Sequence, residues 1–277
     1  AKLIKPAKVS EGIISLNVTQ KKELQALYEE RGKAKKKVKF TPASGAATRM
    51  FKGLFEYLSA GNQYEGKKNE MPPPTDQVGH FLNHLSQFPF YETLKAGLFE
   101  KGIFEEVPVE VIKELLQEKG LNYGQLPKGL IKFHAYPEGV RTPVEEHLVE
   151  GCLYAADDQG RVHIHFTISS RHHEAFDMHL KEVRKGYEKA YGKTIEISLS
   201  EQKTATDIIA VDLKNDPFRK DDGSLLFRPA GHGALLENLN EIDADLIFIK
   251  NIDNISIDRY PSETIEHKKM LGGKLIE

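Results

Sequence analysis

Val38-Lys39-Phe40-Thr41-Pro42-Ala43-Ser44-Gly45-Ala46-Ala47-Thr48-Arg49 is the stretch on which the reading of this chain turns. Val38 to Phe40 reads as a short strand, and residues 41–49 are almost wholly small. Phe51, Leu54, Phe55 and Leu58 then recur at i, i+3, i+4 and i+7, the spacing of an amphipathic helix. Strand, small-residue loop and helix in that order put the loop at the carboxyl end of a strand, where open α/β sheets bind ligands.

Upstream, Leu24, Leu27 and Tyr28 fall at helical spacing, and the run Lys33 to Lys39 reads as the solvated end of that helix. Downstream, Val78, Phe81, Leu82 and Leu85 share one helix face, and Val109, Ile112, Leu115 and Leu116 share another after Pro108. The breaker-rich linkers Gly61 to Pro74 and Gly102 to Pro108 separate them. We expect three parts: residues 1–60 as the N-terminal helix with the first strand-loop-helix, 61–123 as a mostly helical insert, and 124–277 as the rest of an α/β domain.

In that last part strands and helices alternate. Leu130-Ile131 begins a short strand, and Val144, Leu148, Cys152 and Ala155 line a helix entered at Arg141-Thr142-Pro143, with Thr142 as its cap. Val162 to Ile168 alternates as a strand; Phe176, Leu180, Val183, Tyr187 and Tyr191 form a helical stripe. Ile195 to Leu199 is a strand, Ile208 to Val211 another, and a helix near Ala234 to Asn240 precedes Leu246 to Ile249, which is apolar on both faces as a central parallel strand would be. The rhythm predicts an α/β sandwich with a largely parallel sheet.

Composition is that of an ordinary globular protein, with 39% hydrophobic and 29% charged residues and a net charge of −2. That balance argues against a nucleic-acid partner or a polybasic membrane anchor. A lone cysteine, Cys152, cannot form an internal disulfide, and no stretch is long enough to span a bilayer; a cytoplasmic location is expected.

Four segments carry candidate chemistry. The loop Ser44-Gly45-Ala46-Ala47-Thr48-Arg49 offers backbone N–H groups to an anion, and Arg49 adds a permanently charged fork. It is neither a P-loop nor a dinucleotide fingerprint. The others are Pro127-Lys128, Gly231-His232-Gly233, and Asp253-Asn254 after the strand Leu246 to Ile249. In this order they resemble the sugar-1-phosphate nucleotidyltransferase superfamily, in particular its UTP-sugar pyrophosphorylase branch. Gln202 looks like the glutamine that some pyrophosphorylases aim at uracil. A likeness over essentially the whole chain is to an uncharacterised bacterial family, domain of unknown function 4301, which supplies no activity.

The superfamily resemblance implies a three-layer, Rossmann-like (glycosyltransferase-A-like) fold with a helical insert. It implies transfer of a nucleotidyl group, uridylyl by likeness, from a nucleoside triphosphate to a sugar phosphate with release of pyrophosphate. Arg49 and Lys128 are then the catalytic cations. Ser44, Gly45, Ala46, Ala47, Thr48, Gln202, Gly231, His232 and Gly233 bind the nucleotide, Asp253 holds Mg²⁺, and Arg141 lies beside the pocket. Three departures are visible: Ala47 stands where the superfamily has a glycine, the Pro-Lys follows a long insert, and no second metal-binding aspartate is found after Asp258. The sugar half of the fold is expected to be missing from the chain. A non-catalytic nucleotide or sugar-phosphate binding module is one alternative. A zinc-dependent hydrolase using His163 and His165, with His172-His173 nearby and Glu146 or Glu150 as a further ligand, is another.

Overall fold

The computed structural model describes residues 4–45, 47–62, 75–257 and 261–277. Its centre is a four-stranded, all-parallel sheet. In chain order the strands used here are β1 (Lys37–Pro42), the hairpin pair β2 (His134–Tyr136) and β3 (Gly139–Arg141), β4 (Arg161–Ile168), β5 (Thr194–Glu201) and β6 (Leu246–Ile249). The helices are α1 (Val18–Arg31), α2 (Lys52–Asn62), α3 (Asp76–Asn83), α4 (Tyr91–Glu100), α5 (Pro108–Leu116), α6 (Pro143–Tyr154), α7 (His173–Tyr191), α8 (Leu236–Asn240) and α9 (Pro261–Ile276). The sheet order is β6-β1-β4-β5.

Alternation in the strands decides how the sheet is covered. Val162, Ile164, Phe166 and Ile168 point to one face, and the register sets Ile195, Ile197 and Leu199 beside them. Against that face lie Val144, Leu148 and Cys152 of α6 with Phe176 and Leu180 of α7. Each such buried aliphatic or aromatic side chain contributes about 1.5–3 kcal/mol. Tyr28 of α1, Tyr154 and the β6 residues Leu246 and Phe248 extend the same layer, with Ile265 and Ile276 of α9 packed on them.

The other face presents His163, His165, Glu196, Ser198 and Ser200, a set too polar to bury under an apolar helix. Among the described residues it is met by the short α8, whose Asn238 donates from Nδ2 to Ser200 Oγ at 2.8 Å. The α/β class with a parallel sheet is as expected, but the long helices share one face rather than forming layers on both. Two strand readings also change. β6 pairs with β1 alone and is an edge strand, with Ile249 49% exposed. Ile208–Ile209 leaves the sheet and pairs antiparallel with Phe227–Arg228.

The charge run Lys33 to Lys39 is not one solvated unit. Lys37 and Lys39 sit on β1 with 3% and 0% exposure, both on the helix-covered face. Leu130-Ile131 begins no strand: Lys128–Leu130 is a single 3-10 turn. Helices α2 to α5 build a separate apolar cluster around Phe51, Leu54, Val78, Leu94, Val111 and Leu115.

Local signals explain the helix starts. Thr142 caps α6 by accepting from Glu145 N–H, and the Glu145 carboxylate returns the bond to Thr142 N–H at 2.8 Å. Pro143 follows at the first helical position, where its missing N–H costs nothing. α7 ends on Gly192 at φ +61°, a left-handed cap that glycine adopts without strain. No helix among the described residues is long and apolar enough to cross a membrane.

Candidate functional site

The carboxyl ends of β1 and β6 lie side by side, and from β1 the sheet continues to β4 and β5 on the opposite flank. This is the reversal point at which open α/β sheets form a ligand crevice. Ala43 N–H fixes the start of the loop after β1 by donating to Thr167 O at 2.8 Å. Gly45 O accepts from Lys128 N–H at 3.2 Å, and Ala47 N–H reaches Leu126 O at 3.5 Å. The loop is thus stitched to the Pro127-Lys128 segment. Ile252 N–H donates to Pro42 O at 3.1 Å and brings in the segment after β6.

The side chains close the group. Lys128 Nζ lies 2.6 Å from Asp253 Oδ2, in an ion pair that is about a third exposed. Gly45 is exposed, with open space where a Cβ would stand, and Ser44 is half-buried. Thr48 and Arg49 are exposed on a 3-10 turn at residues 47–49, beside the start of α2. Ala47, which stands where the superfamily has a glycine, is placed differently. It lies in that 3-10 turn, and its methyl is fully buried in the cluster of α2 to α5. It is therefore a packing residue that faces away from the crevice. Ala46 lies outside the described residues.

Gln202 and the glycine segment form a second group, at the carboxyl end of β5. Gln202 Nε2 donates to Ala230 O at 3.3 Å, next to Gly231. Gly231 and Gly233 are exposed and open, and residues 232–235 form a 3-10 turn that begins at His232. With neighbouring strands about 4.8 Å apart, this group stands roughly 10 Å along the sheet edge from the Gly45 loop.

Beneath the crevice runs a buried polar network that the sequence reading missed. Lys39, fully buried on β1, donates from Nζ to Glu150 Oε2 at 3.0 Å and also contacts His147 Nδ1. Lys250 pairs with the other oxygen of Glu150. His147 Nε2 faces the carbonyls of Asn251 and Ile252, each at 3.2 Å, so the ring carries its proton there and accepts at Nδ1. Burial pushes the His147 pKa well down, and Lys39 and Lys250 add to it, which keeps the ring neutral. Burial likewise lowers Lys39 to about 7 against the opposing pull of Glu150. Burial alone would raise Glu150, but Lys39 and Lys250 outweigh it and hold the carboxyl below its usual value. The network anchors the backbone that carries Asp253. Every residue of β1 is buried, so the alternation of Lys37 and Lys39 with Val38 did not mark the lysines as inward.

The family named Domain of unknown function (DUF4301) matches residues 1–277. The chain belongs to that family. No curated protein and no solved structure matches it.

Elsewhere in this DUF4301 chain, Glu146 is buried and accepts from Tyr136 OH at 2.6 Å and from His134 Nδ1 at 2.9 Å. The Arg141 guanidinium lies over the Tyr136 ring at 4.1 Å and near Glu146 at 3.6 Å. Arg141 thus belongs to a polar cluster at the start of α6.

The histidines do not assemble a zinc site. His163 Nδ1 pairs with Glu196 Oε2 at 3.1 Å, whereas His165 is bonded through both nitrogens to Ser198 and Ser200 at 2.7 and 2.8 Å. Both rings face the side of the sheet away from α6, which carries Glu146 and Glu150. His173 turns to Glu201, and His172 is buried. Among the described residues no group of three or more His, Cys, Asp or Glu could hold a metal ion.

Proposed function

We propose that the crevice at the ends of β1 and β6 binds a nucleoside triphosphate, and that the chain transfers its nucleotidyl group, uridylyl by resemblance, to a sugar 1-phosphate with release of pyrophosphate. One observation carries this reading. The Lys128–Asp253 contact joins two anchors 125 residues apart at the edge of the same loop that ends in Thr48-Arg49. A loop with Gly45, Thr48 and Arg49 exposed, two cations and one carboxylate at a helix-flanked strand end are a suitable environment for a polyphosphate.

In this reading the loop N–H groups and Arg49 hold the leaving pyrophosphate. Lys128 neutralises the α-phosphate or the attacking phosphate. Gln202 and the Gly231 to Gly233 backbone lie against the base. Such a transfer needs position and charge neutralisation rather than a covalent nucleophile. Among the described residues Asp253 belongs to no group of three or more potential metal ligands, which fits a Mg²⁺ that enters on the triphosphate, since this ion keeps waters and phosphate oxygens in its shell. Asp253 would hold that ion, whose contribution is to neutralise charge on the phosphate oxygens. Lys128, paired with Asp253 in the structure, would have to yield to such an ion. The finer fold assignment, to the nucleotidyltransferase superfamily, belongs to this proposal as well.

A second reading is supported by the same geometry: a binding module without turnover. Lys128 and Gln202 both have partners within the chain, and Ala47 faces the core. Pyrophosphate release from UTP, with sugar 1-phosphates as acceptors, separates the two. Turnover lost by orders of magnitude in both Arg49→Ala and Lys128→Ala supports the transferase. Tight nucleotide binding without any release supports the module.

A further inference from the structure

A cavity of about 400 Å³ opens between α2, α3 and the segments Phe88-Pro89-Phe90 and Ile131-Lys132-Phe133. That is within the range of small-molecule sites, about 300–1,000 Å³. Two of its walls continue directly from the candidate crevice. Met50 and Phe51 follow Arg49, and Ile131 to Phe133 follow the Lys128–Leu130 turn.

Its lining is a ring of aromatic faces. Phe81 and Phe88 stand 5.2 Å apart between centroids, and Phe88 and Phe90 stack at 5.1 Å. Phe90 is braced from behind by Tyr123 in an edge contact at 5.4 Å. The floor includes Leu54 and Val78, which are buried. Among the described lining residues the polar ones are Gln77, His80 and Lys132. Lys132 is the only lysine or arginine among the described lining residues, and its Nζ is held at 2.6 Å from Thr93 Oγ1. Among the described residues the wall is mostly aromatic and aliphatic with three polar side chains, a lining poorer in hydrogen-bonding groups than a sugar's hydroxyls call for. An apolar wall with one cation instead matches an apolar body with a single negative charge.

We propose that this cavity binds a small molecule with an aromatic or branched-alkyl body and one anionic group, the body against Phe51, Phe81, Phe88 and Phe90 and the anion at Lys132. The site is distinct from the triphosphate crevice and stands whether or not a nucleotide binds there.

Gly53 gives the means of testing it. A Cβ at that position, in the first turn of α2, would meet Gln77 Oε1 at 2.9 Å, the movable end of a side chain, so a larger residue can enter the cavity without displacing backbone. The probe is anilinonaphthalene sulfonate, titrated by fluorescence into the full chain, with uncharged phenylnaphthylamine as its counterpart. One saturable site is expected, weakened about tenfold or more in Gly53→Leu while the melting temperature is kept. Lys132→Ala should weaken the sulfonate several-fold and leave the uncharged probe unchanged. Sulfonate binding that is absent, or unaltered by Gly53→Leu in a folded variant, would overturn the proposal. Equal loss of both probes in Lys132→Ala would overturn the assignment of the anion. Nucleotide binding is read separately, by Arg49→Ala, so neither result stands in for the other.

Discussion

Lys128 and Asp253 meet at 2.6 Å although the helical turn of one and the strand exit of the other lie 125 residues apart. Because the pair is partly exposed, its own stabilisation is about 1 kcal/mol or less. Its position, not its strength, is what matters for a ligand.

Asp253→Asn keeps the size of the side chain and removes its charge. If Asp253 receives the metal, the variant loses the Mg²⁺-dependent part of triphosphate binding and keeps the metal-free part. Calorimetric titration with and without Mg²⁺ checks this; undiminished Mg²⁺ dependence would remove Asp253 from the site.

His147→Ala should be costly. It leaves Lys39 with one partner fewer and withdraws the donor from the carbonyls of Asn251 and Ile252. Leaving buried polar groups unpaired, together with the cavity, gives about 3 kcal/mol of destabilisation. Urea unfolding gives the magnitude, and amide exchange in residues 250–254 should accelerate more than in β4.

Lys39 makes stability depend on pH in a definite direction. Its folded pKa, about 7, is below the 10.5 of the unfolded chain. The folded state thus resists protonation that the unfolded state accepts, and stability from this group is lost as pH falls from about 10.5 towards 7. Below that the loss levels off. Lys39→Met leaves Glu150 its partner Lys250, so the variant should gain on the parent as pH is lowered from 9.5 to 7, by denaturant midpoints at the two values. A difference independent of pH would mean that Lys39 titrates normally.

Thr142→Ala removes the α6 cap and the 2.9 Å contact with His179 Nε2. A loss of about 1 kcal/mol is expected in urea.

Much of the sheet was legible because its strands alternate. Val162 to Ile168 and Ile195 to Leu199 show apolar residues at every second position, and the polar positions between them record that only one face takes the long helices. The same alternation pointed away from helix layers on both faces. β6 misled because Leu246 to Ile249 is apolar throughout, yet it lies at an edge; Leu246 and Phe248 face Tyr28 and Tyr154, while Ile249 is half exposed. α4 escaped because Phe88-Pro89-Phe90 reads as a breaker and Gly97 interrupts the pattern; a Cβ there would meet the carboxylate of Glu114, which pairs with Lys101. At the site, the loop after β1, Lys128 and Asp253 were legible as separate anchors. The inward lysines and His147 were not, since their partners come from α6 and β6 and no local pattern links them.

The most direct test of the nucleotide site is a thermal-shift comparison of the chain and its Arg49→Ala variant with UTP, ATP, GTP, CTP and dTTP, each with and without Mg²⁺. A ligand at a hundred times its Kd adds about 2.7 kcal/mol, a shift of several degrees. The account predicts a Mg²⁺-dependent shift with one triphosphate, UTP by resemblance, that disappears in Arg49→Ala. No shift with any triphosphate, or one that Arg49→Ala leaves intact, would contradict it.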